Sequence, residues 1–267
     1  MIRKIVLIIW LCVQSLSLLA DDNRAELEVF YRLTYETDTV RHRAVDAVVV
    51  LRTNQRKSLF YGQACFEKDS LTDNARGPQD YDAINDSIRS KYGRVTMRDY
   101  VLKDFAAHSL DFYGTVMGVC KYTEPIPEFS WKLLEETKKI GGHECQKAEC
   151  HYMGRTYVAW FAPDIPINDG PWKFCGLPGL VLEVSDLSNQ YVFTFLGMSP
   201  CRGEIAVPVM DAVKTTKAKY LKMKQLSIDD PNAFLEGVAA TLGIRSDKVP
   251  KRHFYSTMER VWVLDEK

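Results

Sequence analysis

The sequence predicts a mainly β protein: a strongly curved antiparallel sheet, open like a half-barrel, with one inserted helix and a helical C-terminal cover. Three observations predict it. Leu27, Val29, Tyr31, Leu33 and Tyr35 alternate with Glu26, Glu28, Arg32, Thr34 and Glu36, the two-residue period of a half-buried strand. His143 to Met153 and Thr156 to Phe161 flank Gly154-Arg155, which reads as a hairpin whose glycine supplies the positive φ of a tight turn. From about residue 211 onward the apolar spacing becomes helical.

The elements follow in order. Met1-Ile2-Arg3-Lys4, an apolar run from Ile5 to Leu19, and Ala20-Asp21-Asp22 describe a secretory signal peptide over residues 1–20, cut after Ala20. The run is shorter than the ~20 residues that span a bilayer. Trp10 and Leu11, before Cys12, stand where a lipobox carries small residues. Residues 21–267 are then one β-rich domain of a periplasmic or otherwise exported protein. After the first strand, Ala47 to Leu51 and Ser58 to Tyr61 extend a meander. Between Cys65 and Gly93 the chain is polar, and only Tyr81, Ile84 and Ile88 keep helical spacing, so this is a loop carrying one helix. Strand periodicity returns at Asp99 to Phe105 and at Leu110 to Tyr122, and a short strand covers Trp131 to Glu136.

After the hairpin, Leu180 to Ser185 and Tyr191 to Phe195 run against each other around Leu187-Ser188-Asn189. Asp211 to Leu226 is a lysine-rich helix (Lys214, Lys217, Lys219, Lys222, Lys224) with a weak stripe of Val213, Tyr220 and Leu221; it reads as a solvated face. Asp230-Pro231 opens the next helix, since proline suits the first helical position. Phe234, Leu235, Val238, Ala239 and Leu242 form its inner side before Gly243, and Phe254 to Leu264 docks as a last strand or helix.

Composition narrows the function. The 267 residues are 46% hydrophobic and 26% charged, and 35 basic residues balance 35 acidic ones. A chain without net charge has no electrostatic footprint for nucleic acid, and no later stretch is long and apolar enough to span a membrane once the leader is removed. There is no G-x-S-x-G, H-E-x-x-H, G-x-G-x-x-G, P-loop or C-x-x-C, so no catalytic residue is nominated and no cofactor is expected. His143, Cys145, Cys150 and His151 have the chemistry of zinc ligands. On a regular strand, however, Cys150 faces away from the other three, and no metal site is expected.

The mature chain keeps Cys65, Cys120, Cys145, Cys150, Cys175 and Cys201, an even number that suggests disulfides in an exported protein. Cys145 and Cys150 on one strand stand ~16 Å apart, too far to bridge. If Asp186 pairs with Gln190, extending that register sets Cys175 opposite Cys201, the candidate disulfide.

The segment Trp172 to Val184 contains Leu177-Pro178-Gly179-Leu180, which fits a type II turn with glycine at its third position. Two readings of it stay open. Trp172, Phe174, Leu177, Pro178, Gly179 and Leu180 form a hydrophobic lip that binds a ligand or partner, or they fold inward as a plug of the core.

These residues carry a resemblance. Gly176-Leu177-Pro178-Gly179-Leu180-Val181 resembles the hexapeptide of the GLPGLI family, with valine replacing the last isoleucine, and its surroundings from Lys139 to Ala148, Gly154 to Phe161 and Ile165 to Phe174 are similar too. The resemblance implies an exported cell-envelope protein of Bacteroidetes with uncharacterised function and no catalytic residue to carry over. At fold level such a sheet is similar to the half-barrels of lipoprotein carriers, an analogy of architecture only. The expected function is a non-catalytic binding or accessory protein for a lipid-like ligand or an outer-membrane partner. The rivals are a hydrolase with residues gathered from separate strands, and a structural envelope component.

Overall fold

The structure is a computed structural model describing residues 23–38, 42–116, 118–208 and 211–242. The leader, Gly243 and the expected Phe254 to Leu264 element lie outside the described residues. The alternating segment forms β1 (Leu27–Asp38), followed by β2 (Arg43–Thr53) and β3 (Lys57–Gly62). Next come α1 (Gln63–Thr72) and α2 (Pro78–Tyr92), then β4 (Tyr100–Asp104), β5 (Ser109–Thr115) and β6 (Val119–Pro125). The chain continues through β7 (Lys132–Ile140), β8 (His143–Tyr152), β9 (Arg155–Ala162), β10 (Leu180–Asp186) and β11 (Tyr191–Pro200). It closes with β12 (Val213–Lys214), α3 (Lys217–Asp229) and α4 (Pro231–Leu242).

The strands join one open sheet in the order β12-β6-β5-β4-β3-β2-β1-β11-β10-β9-β8-β7. It is mainly β, as its alternation predicts, and antiparallel except where β12 meets β6. Two meanders, β1 to β6 and β7 to β10, are stitched together when β11 returns to pair with β1. Each face carries its own core. Val29, Tyr31, Leu33, Phe60, Val101 and Phe193 belong to the first face, which the segment 163–179 and α3 cover. Val50, Leu59, Tyr61, Tyr100 and Ile205 belong to the second, where Cys65 of α1 packs.

Four local expectations are corrected. The insertion holds two helices rather than one: α1 buries only Cys65, so it leaves no apolar period to read, and Gly77-Pro78 stands at the start of α2. The lysine-rich segment starts as strand β12, with Val213 exposed, and turns helical only at Lys217, where Thr216 Oγ1 accepts a hydrogen bond from Lys219 N (3.3 Å). The hairpin reverses at Met153-Gly154 (φ 45 and 74), one residue earlier than expected, with Tyr152 opposite Arg155.

The fourth concerns a register. β10 and β11 pair Val184 with Phe193 and Ser185 with Val192, one position away from an Asp186–Gln190 alignment. Asp186 is occupied by the turn itself: its Oδ1 accepts from Tyr191 N (2.8 Å) and its carbonyl from Asn189 N (2.9 Å). Cys201 then sits at the end of β1, donating its amide to Glu26 O (3.0 Å), and packs on the second face. Cys175 stays with the loop over the first face, its thiol toward Pro127 O. Both thiols are free, and the bridge expected between them is not formed. Cys145 and Cys150 are not bridged to each other, as expected, but both are buried in the core of the first face rather than on opposite faces, beside a register shift in the pairing of β7 with β8, and both are free.

Candidate functional site

The segment that the sequence singles out folds as a plug. Trp172, Phe174, Leu177, Gly179 and Leu180 are buried, Pro178 alone is exposed, and Trp172 and Phe174 are 2% and 0% accessible. Phe174 packs edge-on against Tyr157, Trp172 and Phe193 (4.9, 5.3 and 6.3 Å). The turn is not type II. Gly179 N donates to Leu177 O (2.8 Å), closing a three-residue turn around Pro178, and Leu180 N donates instead to Ile165 O (3.0 Å). Gly179 has φ 159, and a Cβ there would stand 2.3 Å from Ala162 O, so only glycine fits. The space an acyl chain would take in a half-barrel carrier is thus filled here by the protein's own aromatic side chains.

Polar groups lock the plug. Lys103 and Asp169, 0% and 1% accessible at their side chains, form a buried ion pair. The Lys103 ammonium also donates to Gly170 O (3.0 Å) and Phe174 O (3.5 Å), and Asp169 Oδ1 accepts from Gly170 N (2.8 Å). Asp169 Oδ2 has no hydrogen-bond partner among the described residues. Trp131 Nε1 donates to Cys175 O (2.8 Å), and Asn168 Oδ1 accepts from Gly176 N.

A second lysine of the plug reaches sideways. Lys173, also 0% accessible, pairs with Glu124 Oε1 (2.5 Å) and donates to Tyr122 OH (3.1 Å), with its ammonium 5.0–5.4 Å from the rings of Phe112, Tyr122 and Trp172. Glu124 Oε2 takes Lys217 of α3 (2.8 Å). Near this network lies Asp99, one step beyond the pairs Tyr100–Tyr113 and Tyr61–Tyr100. Its cross-strand neighbours are therefore Gly114 and Gly62, which offer no side chain. Asp99 keeps some accessible surface yet lies deep: burial raises its carboxyl above the usual range, opposed by Lys224 and Lys173. Sequence reading missed Asp99, Lys103 and Lys173 because an isolated charge in a strand or loop looks solvated until the elements around it are placed.

The other face has an open depression of about 180 Å³ where β1 and β2 meet the start of α1 and the α2–β4 connection. Arg32, Asp46, Ala47, Val48, Ala64, Tyr92, Arg94 and Met97 are among its lining residues. Asp46 accepts from Thr34 Oγ1 (2.6 Å) at its side chain and from Thr96 Oγ1 (3.3 Å) at its carbonyl. Arg32 and Arg94 are exposed and have no hydrogen-bond or ion-pair partner among the described residues. Met97 and Val48 give the depression apolar surface.

The zinc-like cluster does not converge. His143 Nδ1 pairs with Asp164 Oδ2 (2.7 Å), His151 faces Thr156 (3.3 Å), and no grouping suited to a metal ion exists among the described residues. Burial, aided for Cys145 by Asp164 and Glu183 and for Cys150 by Glu149, raises these thiols to about 11 and about 12. High values keep them protonated and weak as nucleophiles.

Residues 152–183, which include the Gly-Leu-Pro-Gly segment, match the model of a family described as a protein of unknown function (Porph_ging). No curated protein matches the chain. Over 76% of its length it is similar to the structures of PNGF-II in the P21 and C2 crystal forms, at 14% identity and TM-scores of 0.53 and 0.52. It spans about a third of those chains, 34% and 33%. At that identity the likeness shows a shared fold alone.

Proposed function

We propose that this chain is a non-catalytic binding protein of the cell envelope, of the GLPGLI kind, that holds a lipid-like amphiphile by its anionic head in the depression between β1, β2 and α1. One observation carries the reading: two guanidinium groups without a partner among the described residues border a hollow with apolar surface, while the first face, where a carrier would keep its chain, is filled by the plug. Arginine forks suit carboxylate and phosphate oxygens. The hollow's volume falls below the several hundred Å³ of drug-sized sites, so it takes a head group and a few methylenes, not a whole acyl chain. The leader-like start of the sequence supports the envelope location, and the family match at residues 152–183 supports the kinship.

The test is calorimetric titration with octyl phosphate against octanol, on the wild type and on Arg32→Ala and Arg94→Ala. Octyl phosphate is expected to bind, octanol not, and each substitution is expected to weaken binding about tenfold, the worth of one charge-assisted hydrogen bond. Equal binding of both probes, or unchanged affinity in both variants, refutes the assignment.

A further inference from the structure

The face of β4, β5 and β6 under α3 presents acids and aromatic rings, and α3 meets it with lysines and one tyrosine. Lys217, Tyr220 and Lys224 fall at positions i, i+3 and i+7, one side of a helix. Tyr220 fills the notch that Gly114 leaves: a Cβ on Gly114 would stand 2.2 Å from the Tyr220 hydroxyl oxygen. Its ring lies 5.5 Å from those of Phe112 and Tyr122. Lys217 reaches Glu124 (2.8 Å), and Lys224 reaches Thr115 O (3.1 Å) within the field of Asp99. Lys219 and Lys222 point to solvent.

The attachment is slight for a helix of this length. Tyr220 is its one fully buried residue, with Leu221 and Met223 partly buried against the core, and the preceding β12 pairs with β6 over two residues. Elements held by few buried contacts open at low free energy. The face beneath would keep Glu124, shared with Lys173, and Asp99, which has no hydrogen-bond partner among the described residues.

We propose that this face is a docking site for a lysine-bearing amphipathic helix with one aromatic residue, and that α3 is its intramolecular occupant, a strap that a partner's basic helix displaces. Charge complementarity sets the partner's chemistry: two carboxylates facing ammonium groups, with an aromatic key between them. The site lies on the opposite face of the sheet from Arg32 and Arg94, so its fate is independent of the ligand reading above.

The probe is a fluorescent peptide of residues 211–230, titrated into the full chain and into a strap-loosened variant, Lys217→Ala/Tyr220→Ala/Lys224→Ala, whose fold is checked by its thermal transition. The loosened variant is expected to bind the peptide at least tenfold more tightly than the wild type, and adding Glu124→Gln to it is expected to remove most of that gain. Hydrogen exchange on the wild type supplies a readout that needs no variant: α3 amides are expected to exchange at least a hundredfold faster than those of β4 and β5. Equal peptide binding by both proteins, absence of binding to either, insensitivity to Glu124→Gln, or α3 exchange at the rate of the sheet each overturns the proposal.

Discussion

Replacing Lys103 by methionine tests whether the plug is locked by charge. The substitution conserves volume along the stem but removes an ammonium that neutralises Asp169 and donates to Gly170 O and Phe174 O. Asp169 is then left 1% accessible, with Gly170 N as its remaining donor among the described residues and Oδ2 already without one there. Breaking a buried pair from one side costs about 3–5 kcal/mol, and the stranded carbonyls bring the expected loss to the upper part of that range. Against a total stability of about 5–15 kcal/mol, this is a shift that urea unfolding followed by tryptophan fluorescence resolves easily. The double variant Lys103→Met/Asp169→Asn removes the stranded charge and is expected to recover about 2 kcal/mol or more relative to Lys103→Met alone. A single variant within about 1 kcal/mol of the wild type, or strictly additive losses in the double, would refute the reasoning.

Other consequences are as direct. Trp172→Ala is expected to cost about 3–5 kcal/mol by denaturant unfolding, as for other buried aromatics; a near-neutral result would mean an exposed lip. Gly179→Ala should lower stability by more than about 2 kcal/mol, because its Cβ collides with the Ala162 carbonyl at a φ of 159. Burial raises the Asp99 carboxyl, so folding is favoured while that acid is protonated, and the contribution is lost as pH climbs from the unfolded-state value through the folded one. Asp99→Asn should therefore raise the melting temperature at neutral pH and have little effect in acid, and a lowered melting temperature at pH 7.5 contradicts this. Burial pushes the thiols of Cys65 and Cys175 up to about 12 and about 11, with Asp69 adding to the first and Lys103 opposing the second. Alkylation mapping at pH 8 should find both unmodified in the native chain and modified in urea.

The sequence by itself determined the strands and much of their pairing. Side chains on a strand alternate by geometry, so Leu27 to Tyr35 announces a buried face before any partner is known, and Met153-Gly154 lies within one residue of the turn expected there. What it left open were relations between segments. Whether Trp172 and Leu177 form a lip or a plug depended on which face of the sheet the segment 163–179 crosses, and burial settled it as a plug. The Cys175–Cys201 pairing rested on a register that the Asp186 turn shifts by one position, and one position moves a side chain to the other face. Asp99, Lys103, Lys173 and Glu124 carried no local pattern at all. Local periodicity is written by neighbouring residues, whereas these charges meet across strands, a loop and a helix distant in the chain; only packing those elements on one face strips their water and gives each its partner.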